Sequence, residues 1–213
     1  DAYSSACTVV VESATATTCN VALPPPNASG TVTIGGVVVQ PSSVQFTPDY
    51  GVENNAARNG YSAQVSANGS WGITADKGTY RSLIYSYIQG ANSTVAGPQC
   101  VVPETGTVTC NFALPAANLT FKVKDTSGAV LTNSVYTELQ IKSGSQWTYG
   151  GNLSPDNSSN TGRFLASLIN GEYRLTTIPN NSGNRGASNI YLFEVESGTV
   201  KNMRVSRTGE TIT

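Results

Sequence analysis

The stretch Cys110-Asn111-Phe112-Ala113-Leu114-Pro115 repeats, with one substitution, the earlier stretch Cys19-Asn20-Val21-Ala22-Leu23-Pro24. The two copies lie 91 residues apart. A similar spacing of 93 residues relates Gly78-Thr79-Tyr80-Arg81 to Gly171-Glu172-Tyr173-Arg174. A fixed period of this length indicates that one structural unit is used more than once.

The repeat divides the chain of 213 residues into two units, each close to the usual size of a small domain. The segments Leu23-Pro24-Pro25-Pro26 and Leu114-Pro115 mark the boundaries, because proline is disfavoured inside a central strand. The sequence therefore predicts a leading hairpin over residues 1–23, a first repeat over residues 24–115 and a second repeat over residues 116–213.

The composition narrows the classes of function. Charged residues make up 12% of the chain and the net charge is −1, so neither nucleic acid nor an anionic membrane is an expected partner. No apolar run approaches the 18 residues of a membrane span, which predicts no membrane insertion. Histidine is absent, which removes the commonest general base and metal ligand. We expect a protein without enzymatic activity and without a cofactor.

Short strand-forming segments dominate the pattern. Leu119-Thr120-Phe121-Lys122-Val123-Lys124 and Val135-Tyr136-Thr137-Glu138-Leu139-Gln140-Ile141 alternate apolar and polar residues, as half-buried strands do. Thr31-Val32-Thr33-Ile34 and Leu83-Ile84-Tyr85-Ser86-Tyr87-Ile88 are rich in β-branched and aromatic residues. Clusters of Gly, Pro, Asn and Ser separate the segments. This pattern predicts an all-β protein built as a sandwich of antiparallel sheets.

The four cysteines form two close pairs, Cys7 with Cys19 and Cys100 with Cys110. Glu104-Thr105-Gly106 suits a three-residue hairpin loop with glycine in the left-handed position. A hairpin centred there places Cys100 opposite Cys110, and the same centring on Ser13 places Cys7 opposite Cys19. We therefore predict two cross-strand disulfides, which persist only in an oxidising compartment.

Residues 68–81 and 161–175 each contain a Gly-polar-aromatic strand followed by Gly-x-Tyr. They resemble carboxypeptidase-regulatory-like, transthyretin-like (prealbumin-like) β-sandwich repeats. Residues 125–131 resemble the first hairpin of that family, and residues 194–200 its last. The resemblance implies two tandem Greek-key sandwiches of about seven strands each, of a kind frequent on secreted and surface proteins of bacteria. It implies no activity.

Aromatic residues at equivalent places in the two repeats are expected to be core residues. Trp71 matches Phe164, and Tyr80 matches Tyr173. The glycine before each tyrosine permits a positive φ at a turn. The tyrosine ring can then be buried while its hydroxyl bonds back to a loop.

Long loops that differ between the repeats are the best candidates for binding. Residues 47–61 carry Tyr50, Tyr61 and Arg58, and residues 142–160 carry Trp147 and Tyr149. Trp147 and Tyr149 are two residues apart, so on a strand they would face the same side. Paired aromatic rings with nearby amides could stack on a sugar and bond its hydroxyls.

Acidic residues in the same loops suggest calcium binding or catalysis as weaker alternatives to sugar binding. Asp49 and Glu53, or Asp156 with Asn157 and Asn160, could supply oxygen ligands to calcium, although neither set has the spacing of a known calcium loop. Nothing in the sequence fixes two carboxylates at a separation suited to catalysis. Solvated loop acids are the simpler interpretation.

Taken together, these features predict an extracellular or cell-surface module. The leading hypothesis is a structural or adhesive segment of a bacterial surface or secreted protein, in which the repeats act as a stalk or display scaffold. Its expected partners are neighbouring repeats of the same polypeptide, and further a host or matrix protein or a glycan. The alternative is a carbohydrate-binding module of a secreted protein.

Overall fold

A computed structural model of the chain describes residues 25–38, 42–88, 91–124, 128–132, 135–156, 161–181, 184–185 and 188–207. Within these residues every regular element is a β-strand, which confirms the predicted all-β class. The strands are β1 (Ala28–Ile34), β2 (Ser42–Pro48), β3 (Tyr61–Gln64), β4 (Ser70–Ile73), β5 (Gly78–Ile88), β6 (Ala91–Val102), β7 (Val108–Thr109), β8 (Phe112–Leu114), β9 (Leu119–Lys122), β10 (Val135–Ser143), β11 (Gln146–Leu153), β12 (Arg163–Ala166), β13 (Gly171–Asn181), β14 (Asn184–Arg185), β15 (Asn189–Glu196) and β16 (Thr199–Arg207).

The strands form three sheets. The largest has the order β16-β15-β13-β10-β11-β6-β5-β2-β3, with β14 added beside β13. A smaller sheet is built on β1, which pairs with β4 along one edge and with β7 and β8 along the other. The third sheet is the pair β9 and β12. Pairing is antiparallel except where β7 and β8 run parallel to β1.

The two repeats share the large sheet. Strand β6 of the first repeat pairs with β11 of the second, with Val95 opposite Gly151 and Ser93 opposite Leu153. Gly151 has a φ of 118°, and a Cβ atom there would lie 1.9 Å from the carbonyl oxygen of Thr94. Only glycine lets the two backbones approach so closely. The repeats are therefore joined by backbone hydrogen bonds as well as by the chain itself.

Equivalent hydrogen bonds occur in both repeats. The side chain of Asn27 accepts a bond from the amide of Ala75 at 2.9 Å and donates to its carbonyl at 2.8 Å. Asn118 does the same with Leu168, at 2.9 and 2.8 Å. Each asparagine thus ties the start of one strand to the loop after another. The sequence period corresponds to a repeated set of contacts.

The predicted aromatic core residues are buried. Trp71 is 4% exposed, and Phe164, Tyr80 and Tyr173 are fully buried. The hydroxyl of Tyr80 donates to the carbonyl of Asp76 at 3.0 Å, and that of Tyr173 to Ile169 at 2.9 Å. Each tyrosine therefore closes the four-residue loop before its own strand, as the Gly-x-Tyr pattern predicts.

Cys100 and Cys110 form the expected disulfide, with their Cα atoms 5.9 Å apart. The predicted hairpin around it is wrong, however, because β6 and β7 lie in different sheets. After Gly106, which has a φ of 86°, the chain crosses to β1 and does not return along β6. The disulfide thus links two sheets. The predicted bond between Cys7 and Cys19, and the leading hairpin over residues 1–23, lie outside the described residues.

The second repeat ends differently from the first. Strand β16 turns back on β15, with Glu196 opposite Thr199 and left-handed residues at Ser197 and Gly198. Two left-handed residues form the turn that best suits a tight hairpin. Strand β16, which corresponds in the second repeat to β7 and β8, therefore stays in the large sheet.

Part of the predicted loop over residues 142–160 is strand. Strand β10 continues to Ser143, and β11 begins at Gln146 after a tight turn with Gly144 at a φ of 57°. Gly144 and Ser145 form the turn between the two strands, and a Gly-Ser pair of this kind is the feature of the sequence that indicates a hairpin here. Trp147 and Tyr149 accordingly lie on a regular strand.

Candidate functional site

Trp147 and Tyr149 face the same side of β11, as their spacing predicts. Between them Thr148 lies opposite Ile141, which is 2% exposed and belongs to the core. Trp147 lies opposite Lys142, and Tyr149 opposite Gln140. Both rings therefore stand on the outer face of the large sheet, where Tyr149 is 45% exposed.

A groove of about 290 Å³ runs beside Trp147 on this face. The guanidinium of Arg174 lies 4.8 Å from the centre of the Trp147 ring, a distance suited to a cation–π contact. Lys142 and Glu172 form an ion pair at 2.7 Å along the same face. The groove is lined by Trp147, Glu172, Tyr173, Leu192, Phe193, Glu194, Asn202 and Arg204.

A second group of polar and aromatic residues lies farther along β10. The hydroxyl of Tyr136 donates to Glu138 at 3.0 Å, and the amide of Gln140 donates to the other oxygen of Glu138 at 2.9 Å. Partial burial, followed by the proximity of Tyr136 and Glu138, raises the pKa of Tyr149 above its ordinary value of 10.0. Tyr149 is thus a neutral hydroxyl across the physiological pH range.

The structure does not place Tyr50, Tyr61 or Arg58 in the groove. The Tyr61 ring packs edge-on against Tyr80 at 5.9 Å, in the first repeat. Arg58 donates to the carbonyls of Asn55 and Ala57, and Tyr50 is 75% exposed. Of the five predicted ligand-binding residues, Trp147 lines this groove, and Tyr149, Tyr50, Tyr61 and Arg58 do not.

Asp49, considered above as a calcium ligand or loop acid, belongs to a buried polar cluster. Its carboxylate accepts from Arg81 at 2.9 Å, from Gln99 at 2.7 Å and from the Gly51 amide at 3.1 Å. Arg81 also donates to Ser143 of the second repeat, at 3.3 Å. We call these five residues the junction cluster, since they connect the loop after β2 to the end of β10.

The junction cluster keeps its carboxylate ionised. Burial opposes ionisation of Asp49, but hydrogen bonds from Gln99 and Ser143, the Arg81 guanidinium and the Gly51 amide outweigh it. Together they hold the pKa of Asp49 below its ordinary value of 3.8. A buried carboxylate with this many partners is engaged in structure. The sequence offered no signal for the pairing, because Asp49 and Arg81 are distant along the chain.

The structure also shows the surroundings of the other acidic residues that were considered as calcium ligands. Asp156 is 2% exposed and lies 3.6 Å from the guanidinium of Arg163. Glu53 is exposed, while Asn157 and Asn160 lie outside the described residues. Among the described residues, no three His, Cys, Asp or Glu side chains are grouped closely enough to hold a metal ion.

Comparisons with known proteins supply no further assignment. No family model matches the chain, and no curated protein matches it. A search of the described residues for an apolar helix of membrane-spanning length finds none. The candidate site therefore has to be interpreted from its own chemistry.

Proposed function

We propose that this chain is a structural segment of an extracellular surface or secreted protein, in which tandem prealbumin-like Greek-key sandwiches act as a stalk or display scaffold. The observation that carries the proposal is the junction between the repeats. A flexible linker would let the repeats move independently. Here β6 and β11 pair directly, so a load on one repeat passes to the other through backbone hydrogen bonds.

The junction cluster supports the same function. Asp49 and Arg81 of the first repeat are buried and reach Ser143 of the second. A Cβ atom on Gly51 would lie 2.3 Å from the Ser143 carbonyl oxygen, so the surfaces meet without a gap. The disulfide between Cys100 and Cys110 adds a covalent tie between two sheets. Such a bond suits the oxidising environment outside the cell.

The second candidate function is carbohydrate binding, and the groove beside Trp147 is the observation that favours it. The groove combines an indole ring with Glu172, Glu194, Asn202 and Arg204. Such residues can bond the hydroxyls of a sugar while the ring contacts its apolar face. Arg174 already lies over the Trp147 ring, however, and leaves less of the ring for stacking.

A glycan-array screen of the wild-type chain separates the two functions. The scaffold proposal expects no glycan to bind above background. Binding that Trp147→Ala abolishes, and that Tyr85→Ala leaves intact, would replace it with the carbohydrate-binding function. Tyr85 is a suitable control because it is 37% exposed on a strand of the first repeat, away from the groove.

A further inference from the structure

Three Asn-Gly pairs occur in the chain, and the structure describes all of them. They are Asn59-Gly60, Asn68-Gly69 and Asn170-Gly171. In such a pair the backbone nitrogen of the glycine can attack the side-chain carbonyl carbon of the asparagine, with loss of ammonia. Glycine favours the attack, because its backbone turns freely and no side chain shields its nitrogen. In a folded protein the reaction therefore depends on how firmly the two residues are held.

The pair Asn68-Gly69 is fixed in a tight turn. The Asn68 Oδ1 atom accepts from the Ser70 amide at 3.1 Å and from the Ser70 hydroxyl at 2.7 Å. The Gly69 amide donates to the Ser66 carbonyl at 2.8 Å, and the Gly69 carbonyl accepts from the Val32 amide at 2.9 Å. These bonds hold both the attacking nitrogen and the amide under attack, and they have to break before either group can turn.

The pair Asn170-Gly171 is fixed by the large sheet. The Asn170 Oδ1 atom accepts from the amide of Gly198, in the turn between β15 and β16, at 3.2 Å. Gly171 is the first residue of β13 and lies opposite Val195 of β15. An attack by the Gly171 nitrogen would therefore have to pull the end of β13 out of the sheet.

The pair Asn59-Gly60 is held in a different way. Both residues are exposed and lie in the loop just before β3. The Asn59 amide nitrogen donates to the Asp76 carboxylate at 3.0 Å. This bond is made by the nitrogen that would leave and not by the carbonyl group under attack. It joins two exposed side chains, where water competes for both groups, so it restrains Asn59 only weakly.

We propose that Asn59 is a site of spontaneous deamidation, and that folding selects it from the three Asn-Gly pairs. The Gly60 nitrogen gives up its proton to the solvent and forms a bond to the Asn59 Cγ atom. The Cγ–Nδ2 bond breaks, and Nδ2 takes up a proton and leaves as ammonia. Water then opens the succinimide ring at one of its two carbonyl–nitrogen bonds, which yields aspartate or isoaspartate at this position. One water is consumed for each ammonia released, and no oxidant or reductant takes part.

The modification places a new negative charge beside an existing one. The Asp76 carboxylate loses the donor that Asn59 supplied and faces a second carboxylate. Like charges so close together repel, so the loop before β3 is released from the loop after β4. The change extends to the first residue of β3, because the Tyr61 hydroxyl accepts from the Asp76 amide at 3.2 Å. The site does not depend on the proposed scaffold function.

The rates of deamidation at the three pairs of one chain provide the test. The full chain is incubated at mildly alkaline pH, where backbone amides ionise more readily, and is then digested and mapped by mass spectrometry with isoaspartate detection. In the native chain we expect Asn59 to react about tenfold faster than Asn68, because two hydrogen bonds to Asn68 have to break first. We expect Asn170 to be slow as well. In denaturant all three pairs should react at similar rates, since the fold no longer restrains them.

Gly60→Ala is the matched variant. A Cβ atom there would lie 3.3 Å from the Phe46 carbonyl oxygen, and the φ of Gly60 lies outside the left-handed region, so the fold accepts alanine. The methyl group shields the attacking nitrogen. The variant should therefore slow the reaction at Asn59 and leave the rates at Asn68 and Asn170 unchanged.

Two results would overturn the proposal. One is a native chain in which Asn59 reacts no faster than Asn68 or Asn170. The other is a folded Gly60→Ala variant in which Asn59 reacts as fast as in the wild type. If circular dichroism shows that Gly60→Ala does not fold, the comparison of native and denatured wild type decides alone.

Discussion

At the scale of single residues, two polar side chains have structural roles that their positions in the sequence do not reveal. Asp49 lies in a loop and Asn27 lies just before a strand, where exposed polar residues are common. Both make hydrogen bonds to groups far along the chain. Such side chains contribute stability because their partners would otherwise be left unsatisfied.

Asp49→Asn is expected to lower the free energy of unfolding at pH 7 by about 3 kcal/mol, because it leaves the Arg81 charge without its partner. The folded-state pKa of Asp49 is depressed, so its contribution is present above its ordinary value of 3.8 and is lost as the pH falls through the folded value. Urea unfolding of wild type and variant across this range measures the difference. A difference that stays constant down to pH 2 would contradict the role of the carboxylate.

Asn27→Ala and Asn118→Ala are expected to destabilise the protein equally, because each removes the same two backbone contacts. At about 1 kcal/mol for each hydrogen bond, either variant should lose about 2 kcal/mol. Thermal unfolding followed by circular dichroism measures the loss. Asn59→Ala is the control, since Asn59 is exposed and its amide donates to the Asp76 side chain, not to the backbone. Unequal losses would mean that the two repeats are not equivalent at this contact.

At the scale of elements, the crossing of β7 and β8 from one sheet to the other is the feature that separates the two repeats. The disulfide between Cys100 and Cys110 stands where the chain leaves β6. Leu192 and Asn202 hold the corresponding places in the second repeat, and there β16 stays beside β15. The covalent tie and the crossing therefore occur together.

The double variant Cys100→Ser, Cys110→Ser is expected to lose about 3 kcal/mol of stability, the value for closing a short loop in the chain-entropy model. Chemical denaturation under non-reducing conditions measures it. Cys7 and Cys19 are unchanged in this variant, so the difference belongs to the bond between the sheets. Stability equal to that of the wild type would show that the crossing is held by packing alone.

Gly151→Ala is expected to separate β11 from β6 and to cost about 3 kcal/mol, because the residue is left-handed and its Cβ would meet the Thr94 carbonyl. Hydrogen exchange at Thr94 and Asn152, which lie opposite each other and whose backbone groups face across the two strands, should become faster. Gly60→Ala is a suitable control, since its Cβ would lie 3.3 Å from the nearest atom. Unchanged exchange would indicate that β6 and β11 are not held together by their pairing.

At the scale of the whole molecule, the buried residues of the two repeats form one apolar cluster. Ile84 and Val95 face the core of the first repeat, and Leu83 and Ala96 lie on the opposite face of the same strands. Leu83 and Ala96 are nevertheless buried. Strand β12 of the second repeat lies against β6 of the first. Domains with a common core unfold together.

The two tryptophans allow a test of this cooperation, since Trp71 lies in the first repeat and Trp147 in the second. In Trp147→Phe the fluorescence reports the first repeat, and in Trp71→Phe it reports the second. We expect the fluorescence transition of each variant to coincide with its own circular dichroism transition during urea unfolding. Transitions that separate would show that the repeats unfold one after the other.

The sequence by itself determined the features that depend on local pattern. Alternation and β-branched residues predicted the strands, and the period predicted that Tyr80 and Tyr173 would be equivalent core residues. The cysteine spacing predicted the bond between Cys100 and Cys110, although by way of a hairpin that does not form. These features are readable because side-chain burial repeats along a strand with period two.

The tertiary structure alone decided which strand edges meet. Alternation along a strand fixes which side chains face the core, but the edges are backbone groups that are the same for almost every residue. The pairing of β6 with β11, the crossing of β8 to β1 and the contact of Asp49 with Arg81 therefore left no local signal. They depend on which segments the folded chain brings together.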